Sequence, residues 1–258
     1  MLTDILRVIN KLKEKIMRNI ILILCLNAFY MLQAGEVASY QESFDKFMIK
    51  RSKAPAKYSP KEQEIMKQST VSLAQSLPNP GIQVGEKAPD FILKNAFGKE
   101  VNLEDELKKG PVVLVFYRGA WCPYCNMHLG VLSESLSEFE KYDAQLIAIT
   151  PQKADKSAEQ IKKDSYPFEV LSDLDNSVMK EYNLYFELSK ELLDVYKKNG
   201  LDVEAYNGKN RTALPIPGTF VIDTQGVVRA MQAQTNYKVR MEPKDIIDAL
   251  IKISKEMQ

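Results

Sequence analysis

The sequence predicts an α/β protein with a mixed central sheet flanked by helices and a helical extension at the N-terminus. Two observations carry this reading. Apolar, β-branched runs such as VVLVFY at 112–117 and AQLIAIT at 144–150 alternate with amphipathic stretches, as strands buried on both faces do. Two further pairs of runs fold back around turn signals at Phe97–Gly98 and Thr224–Gly226, which adds antiparallel strands. At 258 residues and 45% hydrophobic, the chain is long enough for one good core and an appendage. A formal net charge of +1 gives no electrostatic basis for binding nucleic acid or an anionic surface.

The front of the chain reads as an address. From Met17 it runs MRNIILILCLNAFYMLQAGE: one arginine, an apolar stretch over Ile20–Leu32, then Ala34 and Gly35. Basic, apolar and small segments in that order predict a secretory signal over 1–34, cleaved after Ala34 and starting at Met17, with an uncleaved anchor as the alternative. The expected location is outside the cytoplasm, in a bacterial periplasm. Cys25 leaves with the signal, and the mature chain keeps Cys122 and Cys125. A pair so close encloses too little chain to stabilise a fold by entropy, which excludes a disulfide scaffold.

Residues 35–81 are polar and helical in character, interrupted near Pro55 and Pro60 and ended by LPNPG, so they predict an extension and linker. It lacks the apolar residues for a core of its own. The domain proper is 82–258. Residues 88–107 predict a hairpin, 112–117 a central strand, and Pro123–Tyr142 one helix with Leu129, Leu132, Leu136 and Phe139 on its apolar side. A buried strand at 144–150 and a polar helix follow, then a short strand at 168–173 and a short helix. Residues 185–213 form a long polar segment with one helical patch. A hairpin over 219–232 and an amphipathic helix over 242–257, with an early proline and early acids, close the chain. This order of elements is thioredoxin-like.

The chemistry concentrates in RGAWCPYCN at 118–126. Cys122 falls where strand 112–117 ends and a helix begins, where unpaired N–H groups and the helix dipole favour a thiolate. Pro123 suits the first helical position. Cys125 lies one turn further in, within reach of a sulfur or sulfenic acid on Cys122. The outer cysteine is thus the expected nucleophile and the inner one the resolver. A structural zinc site needs four ligands, and the only other candidate nearby is His128, the sole histidine. His128 is expected on the helix surface. The sequence calls for no metal and no cofactor. Trp121 reads equally as core packing or as a shield over the thiol.

VVLVFYRGAWCPYC, QLIAITPQ, PIPGTFVIDTQGVVRA and NYKVRMEPKDIIDAL together resemble the peroxiredoxin-like members of the alkyl hydroperoxide reductase/thiol-specific antioxidant (AhpC/TSA) family, over about residues 82–250. The resemblance implies a thioredoxin-like fold and hydroperoxide reduction, with Cys122 as the peroxidatic cysteine and Cys125 as the resolving one. It implies a hydroperoxide substrate and a thioredoxin-type reductant, and leaves a homodimer open. A cis-proline facing the cysteines is expected at Pro217, with Thr219 beside it, and Arg118 and Trp121 as further substrate-binding residues. Two departures stand out: Val115 and Gly119 occupy the motif positions of a proline and a hydroxyl residue. Arg118 and Arg211 replace the family's arginine in charge only, and Arg211 reads as a solvated surface residue. Two enzymes fit these residues: a peroxidase, or an exported thiol–disulfide oxidoreductase attacking protein disulfides through Cys122. A non-enzymatic redox sensor or binding module is the third reading.

Overall fold

The computed structural model describes Met17 and residues 37–256. The predicted leader, its cleavage site and Cys25 lie outside the described residues. Among those described, no helix is long and apolar enough to cross a membrane.

Seven strands form one mixed sheet in the order β2-β1-β5-β4-β3-β8-β9. They are β1 Ile92–Asn95, β2 Glu100–Asn102, β3 Val112–Phe116, β4 Gln145–Thr150, β5 Glu169–Ser172, β8 Gly218–Ile222 and β9 Val228–Ala233. β3 runs parallel to β4 and antiparallel to β8, with Val115 opposite Ala148 on one side and Thr219 on the other. All five β3 residues are buried, as its unbroken apolar run requires. Alternate residues face opposite layers. Val113, Val115 and Tyr117 join one core, and Val112, Leu114 and Phe116 the other.

The first core is closed by α4 Pro123–Glu134, α5 Leu136–Glu140 and α10 Pro243–Glu256. The single helix predicted over Pro123–Tyr142 is therefore two. Ser135 stands between them at φ −96° and ψ 0°, with its Oγ donating to the Val131 carbonyl at 2.9 Å. Leu132 and Phe139 are buried on either side of this break, so the apolar spacing persists through it and hides it from the sequence. The 88–107 hairpin forms as β1 and β2, but its last residues turn into α3 Leu103–Leu107 under an Asn102 cap.

The long polar segment is more ordered than its composition suggests. β6 Tyr185–Glu187 pairs with β7 Ala213–Pro215 in a second, two-stranded sheet. Between them lie α8 Lys190–Lys198 and α9 Val203–Asn207. The helices α6 Ala154–Asp164 and α7 Ser177–Glu181 complete the domain.

The extension supplies α1 Tyr40–Ser52 and α2 Pro60–Ser76. Ser59 and Glu62 form a capping box at the start of α2. Neither helix is a solvated tail. Residues 38–256 form one compact unit in which α1 packs on α4 and α2 on α8.

Candidate active site

β3 ends at Phe116, and the chain reaches the α4 N-terminus through a tight turn over 117–122. Gly119 makes the turn with φ +139°, a backbone conformation L side chains rarely adopt. The Cys122 N–H donates to the Gly119 carbonyl at 3.0 Å. The turn is held from the loop after β4: Gln152, fully buried, accepts from the Ala120 N–H at 3.0 Å and donates to the Tyr117 and Ser157 hydroxyls. Cys122 is the N-cap of α4 and Pro123 its first residue, as the spacing predicts.

Cys122 and Cys125 are free thiols, and Cys125 Sγ donates to Cys122 Sγ at 2.7 Å. Both are buried, but only Cys122 lines an adjoining cleft of about 390 Å³. The domain contributes Arg118, Trp121, Tyr124, Tyr196 and Tyr237 to that cleft. The extension contributes Phe47, Arg51, Lys57, Tyr58 and Met66. The contact is aromatic: the Tyr124 ring lies 6.0 Å from Phe44 and 5.7 Å from Phe47.

Arg118 is buried beside the thiols. Its guanidinium sits 4.9 Å over the Trp121 ring and 4.6 Å over Tyr237, and its Nη2 donates to the Tyr196 hydroxyl at 2.9 Å. Cation–π contacts of this kind contribute about 0.5–2 kcal/mol. Two buried donors at the site, the Arg118 Nε–H and the Trp121 Nε1–H, have no acceptor among the described residues. A buried N–H left so costs about 1–3 kcal/mol.

The two thiols titrate as a pair. Burial pushes Cys122 well up, and so does its hydrogen bond to Cys125. Burial raises Cys125 too, and the Arg240 charge and the Arg118 backbone N–H act to lower it.

Other expectations need correcting. The peptide bond before Pro217 is trans, and Pro217 lines a smaller cavity with Arg118, Tyr196 and Tyr237 rather than the Cys122 cleft. Thr219 is buried in β8 opposite Val115 and does not line the cleft either. His128 is not on the surface. The Tyr40 ring meets it edge-on at 5.6 Å, and its Nε2–H donates to the Met241 carbonyl at 3.1 Å. A carbonyl only accepts, so that nitrogen carries the hydrogen. Arg211 is half-buried and donates to the Pro151 and Asn207 carbonyls, tying the loop after β4 to α9. Arg118 is the arginine that reaches the cysteines from the predicted set, and Arg240 is one the sequence reading passed over. Arg240 Nη2 lies 3.5 Å from Cys125 Sγ. It sits within the family-like run NYKVRMEPKDIIDAL, between Val239 and Met241.

Comparison with known proteins agrees with this architecture. Residues 84–231 match the AhpC/TSA family. A Helicobacter pylori protein carrying the name peroxiredoxin bcp is 34% identical over 169 residues, which is 66% of this chain and 98% of that one. A chloroplastic peroxiredoxin Q of Oryza sativa subsp. japonica is 33% identical over 132 residues, 50% of this chain and 60% of that one. The crystal structure of the peroxidoxin BcpB of Mycobacterium tuberculosis superposes with a TM-score of 0.53 at 21% identity, covering 69% of this chain and 99% of that chain. At that identity the superposition speaks for the fold.

Proposed function

This chain belongs to the AhpC/TSA family, and from that premise we propose that it is a thiol peroxidase reducing hydrogen peroxide and organic hydroperoxides through Cys122. The observation that carries the reading is the placement of the two sulfurs. They lie 2.7 Å apart at a helix N-terminus, and only the outer one opens on a cleft, which Arg118 and Trp121 also line.

Cys122 thiolate attacks one peroxide oxygen, the O–O bond breaks, and the leaving oxygen departs as water or an alcohol after taking a proton. Cys122 is left as the sulfenic acid. The Arg118 Nε–H and Trp121 Nε1–H are the donors available to the peroxide oxygens as charge builds on the leaving one. They take the part of the hydroxyl side chain that Gly119 lacks. Cys125 then attacks the sulfenic sulfur, forming the Cys122–Cys125 disulfide and releasing water. A thioredoxin-type dithiol returns both to thiols, the reductant the family resemblance implies. Export to a periplasm, which the N-terminal sequence favours, would place this cycle outside the cytoplasm.

The test is peroxide consumption by the reduced chain with a dithiol reductant supplied. Cys122→Ser should abolish turnover. Cys125→Ser should react once and stop at the sulfenic acid, which a dimedone adduct on Cys122 would report. Turnover that persists without Cys122, or rapid reduction of protein disulfides with no peroxide reactivity, would give the reading to the thiol–disulfide oxidoreductase.

A further inference from the structure

Residues 50–61, which run from the end of α1 into α2, carry Lys50, Arg51, Lys53, Lys57 and Lys61 and no acidic residue. They lie before residues 84–231 that match the family, so this charge belongs to the extension. Two of these cations, Arg51 and Lys57, line the cleft onto which Cys122 opens. Arg118 is the third cation there, and the lining holds no carboxylate. Among the described residues none of the three makes an ion pair. A cleft lined by charge of one sign raises the local concentration of its counter-ion.

The three cations are not equivalent. Burial pushes the Cys122 thiol up, and the Arg118 charge beside it pulls the other way, so Arg118 serves the sulfur. Arg51 has no such partner. It lies in the last turn of α1, where the exposed Lys50 already complements the helix dipole. Arg51 is half-buried, and its charge reaches the Tyr58 and Tyr124 hydroxyls on the cleft wall, which burial pushes up and Arg51 draws down. Lys57 is exposed, with its Nζ 5.5 Å over the Tyr58 ring. The thiol is buried, Arg51 half-buried and Lys57 exposed, so the cations of the extension stand toward the mouth of the cleft.

Both cations are carried by anchored helices. The first N–H groups of α1, of Tyr40 and Gln41, donate to the two Glu242 carboxylate oxygens at 2.9 and 2.7 Å. Phe44 and Phe47 hold the same helix against Tyr124. At the other end of the connection the Gln63 side chain donates to the Tyr58 carbonyl at 2.9 Å, and Glu62 binds Lys198 of α8.

The cleft is also larger than hydrogen peroxide needs. Two oxygens, at the volume waters take in the liquid, occupy about 60 Å³, whereas the cleft holds about 390 Å³. Phe47, Tyr58, Tyr196 and Tyr237 line the remainder, which suits an apolar body.

We propose that the cleft selects organic hydroperoxides bearing a carboxylate on an apolar body, with Arg51 and Lys57 as specificity-determining residues that hold the carboxylate while the hydroperoxide reaches Cys122. The Cys122 thiolate takes the terminal oxygen with its hydrogen and becomes the sulfenic acid as the O–O bond breaks. The leaving oxygen takes a proton from solvent, and the product departs as a hydroxy acid with its carboxylate intact. The choice of hydroperoxide rests on the peroxidase reading, whereas the affinity for a carboxylate does not.

The experiment has two readouts on the full chain. In the first, Cys122→Ser protein is titrated with para-isopropylbenzoate and with its neutral counterpart para-isopropylbenzamide, and the fluorescence of Trp121 on the cleft wall reports binding. The acid should bind about tenfold more tightly at low salt, as a charge-assisted contact with a half-buried guanidinium allows. That advantage should shrink at high salt. It should shrink in Arg51→Gln, and by less in Lys57→Gln, while Lys252→Gln, which removes a cation outside the cleft, should retain it. In the second, initial rates of the Cys122-bearing chain with cumene hydroperoxide and its para-carboxylate are compared. The preference for the acid in kcat/KM should follow the binding preference across the same variants, and Arg51→Glu should reverse it. Should an Arg51 variant fail to fold, the exposed Lys57 still reports. Equal affinity for acid and amide, or a preference that survives both the Arg51 and the Lys57 substitutions, would overturn the proposal. Preferred binding of the acid by a chain that reacts with neither hydroperoxide would instead sink the peroxidase reading and leave the anion site standing.

Discussion

Trp121 Nε1 occupies the space where a side chain on Gly119 would begin: a Cβ there would lie 2.7 Å from that nitrogen. The glycine and the tryptophan are therefore one solution. The backbone at φ +139° opens the space, and the indole N–H fills it.

Restoring the family's hydroxyl with Gly119→Thr should do harm. The backbone conformation and the contact with Trp121 together predict a loss of about 1–3 kcal/mol in stability. Peroxide reactivity should fall with it. Urea unfolding and initial rates check both. A variant as stable as the natural chain and faster with peroxide would show that the tryptophan is no substitute for the hydroxyl.

Trp121→Phe separates the indole N–H from the ring. The aromatic contacts with Arg118 and Tyr196 persist in kind, while one donor disappears. One hydrogen bond of ordinary strength predicts a drop of roughly tenfold in the rate with peroxide. Direct measurement of peroxide disappearance provides the check, since the variant loses the only tryptophan. An unchanged rate would confine Trp121 to packing.

His128 ties stability to pH. Its ordinary value is 6.5, and in the fold burial and the Arg240 charge hold it at about 3. Between those values the unfolded chain binds the extra proton, so this contribution is present above 6.5 and is lost as pH falls toward 3, by up to about 1.4 kcal/mol per pH unit. Asp173 works the other way. Burial raises it from 3.8 to about 6, so its contribution is present below 3.8 and is lost as pH rises through about 6. The two offset each other where they overlap, and the natural chain alone would show a flattened curve. The comparison to make is urea unfolding of the natural chain against His128→Gln at a series of pH values. The natural chain should lose stability relative to the variant as pH drops below 6.5. A constant difference would mean that His128 is not held neutral.

Glu62 anchors the second helix of the extension. It caps α2 through Ser59 and receives Lys198 Nζ at 2.8 Å from α8 and Asn199 Nδ2 at 3.3 Å from the residue that caps α8. The hydrogen bond from Lys198, with those from Ser59, holds its carboxyl at about 2, below the ordinary 4.5. The anchor is thus fully present above 4.5 and is lost only as pH falls through about 2. Glu62→Ala should loosen α2 from α8 and speed proteolysis of the connection over residues 53–59. Equal cleavage rates would show that the aromatic contacts of α1 hold the extension without it.

Local patterns carried much of this fold into view. The unbroken VVLVFY run placed β3 in the middle of the sheet, and Gly98 and Gly226, both at positive φ, marked the two hairpin turns. Pro123 and the preceding strand placed Cys122 at a helix start. What escaped depends on residues far apart in the chain. His128 reads as a surface residue until α1 covers it, and Glu242 reads as a first-turn acid of α10 until the α1 N-terminus lands on it, 202 residues away. Arg240 lies within the family-like NYKVRMEPKDIIDAL run, but nothing local shows that it meets a sulfur 115 residues earlier. The β6–β7 pair hid in a polar stretch because two short strands need each other to show.

The central claim is that Cys122 is a peroxidatic cysteine, and the most direct measurement uses the lone Trp121 beside it. Reduced protein mixed with hydrogen peroxide in a stopped-flow instrument should give a fast fluorescence change, first order in peroxide, with a rate constant far above that of free cysteine. Cys122→Ser should abolish it. A rate no better than free cysteine, in protein whose thiols titrate and whose fold is intact, would contradict the account.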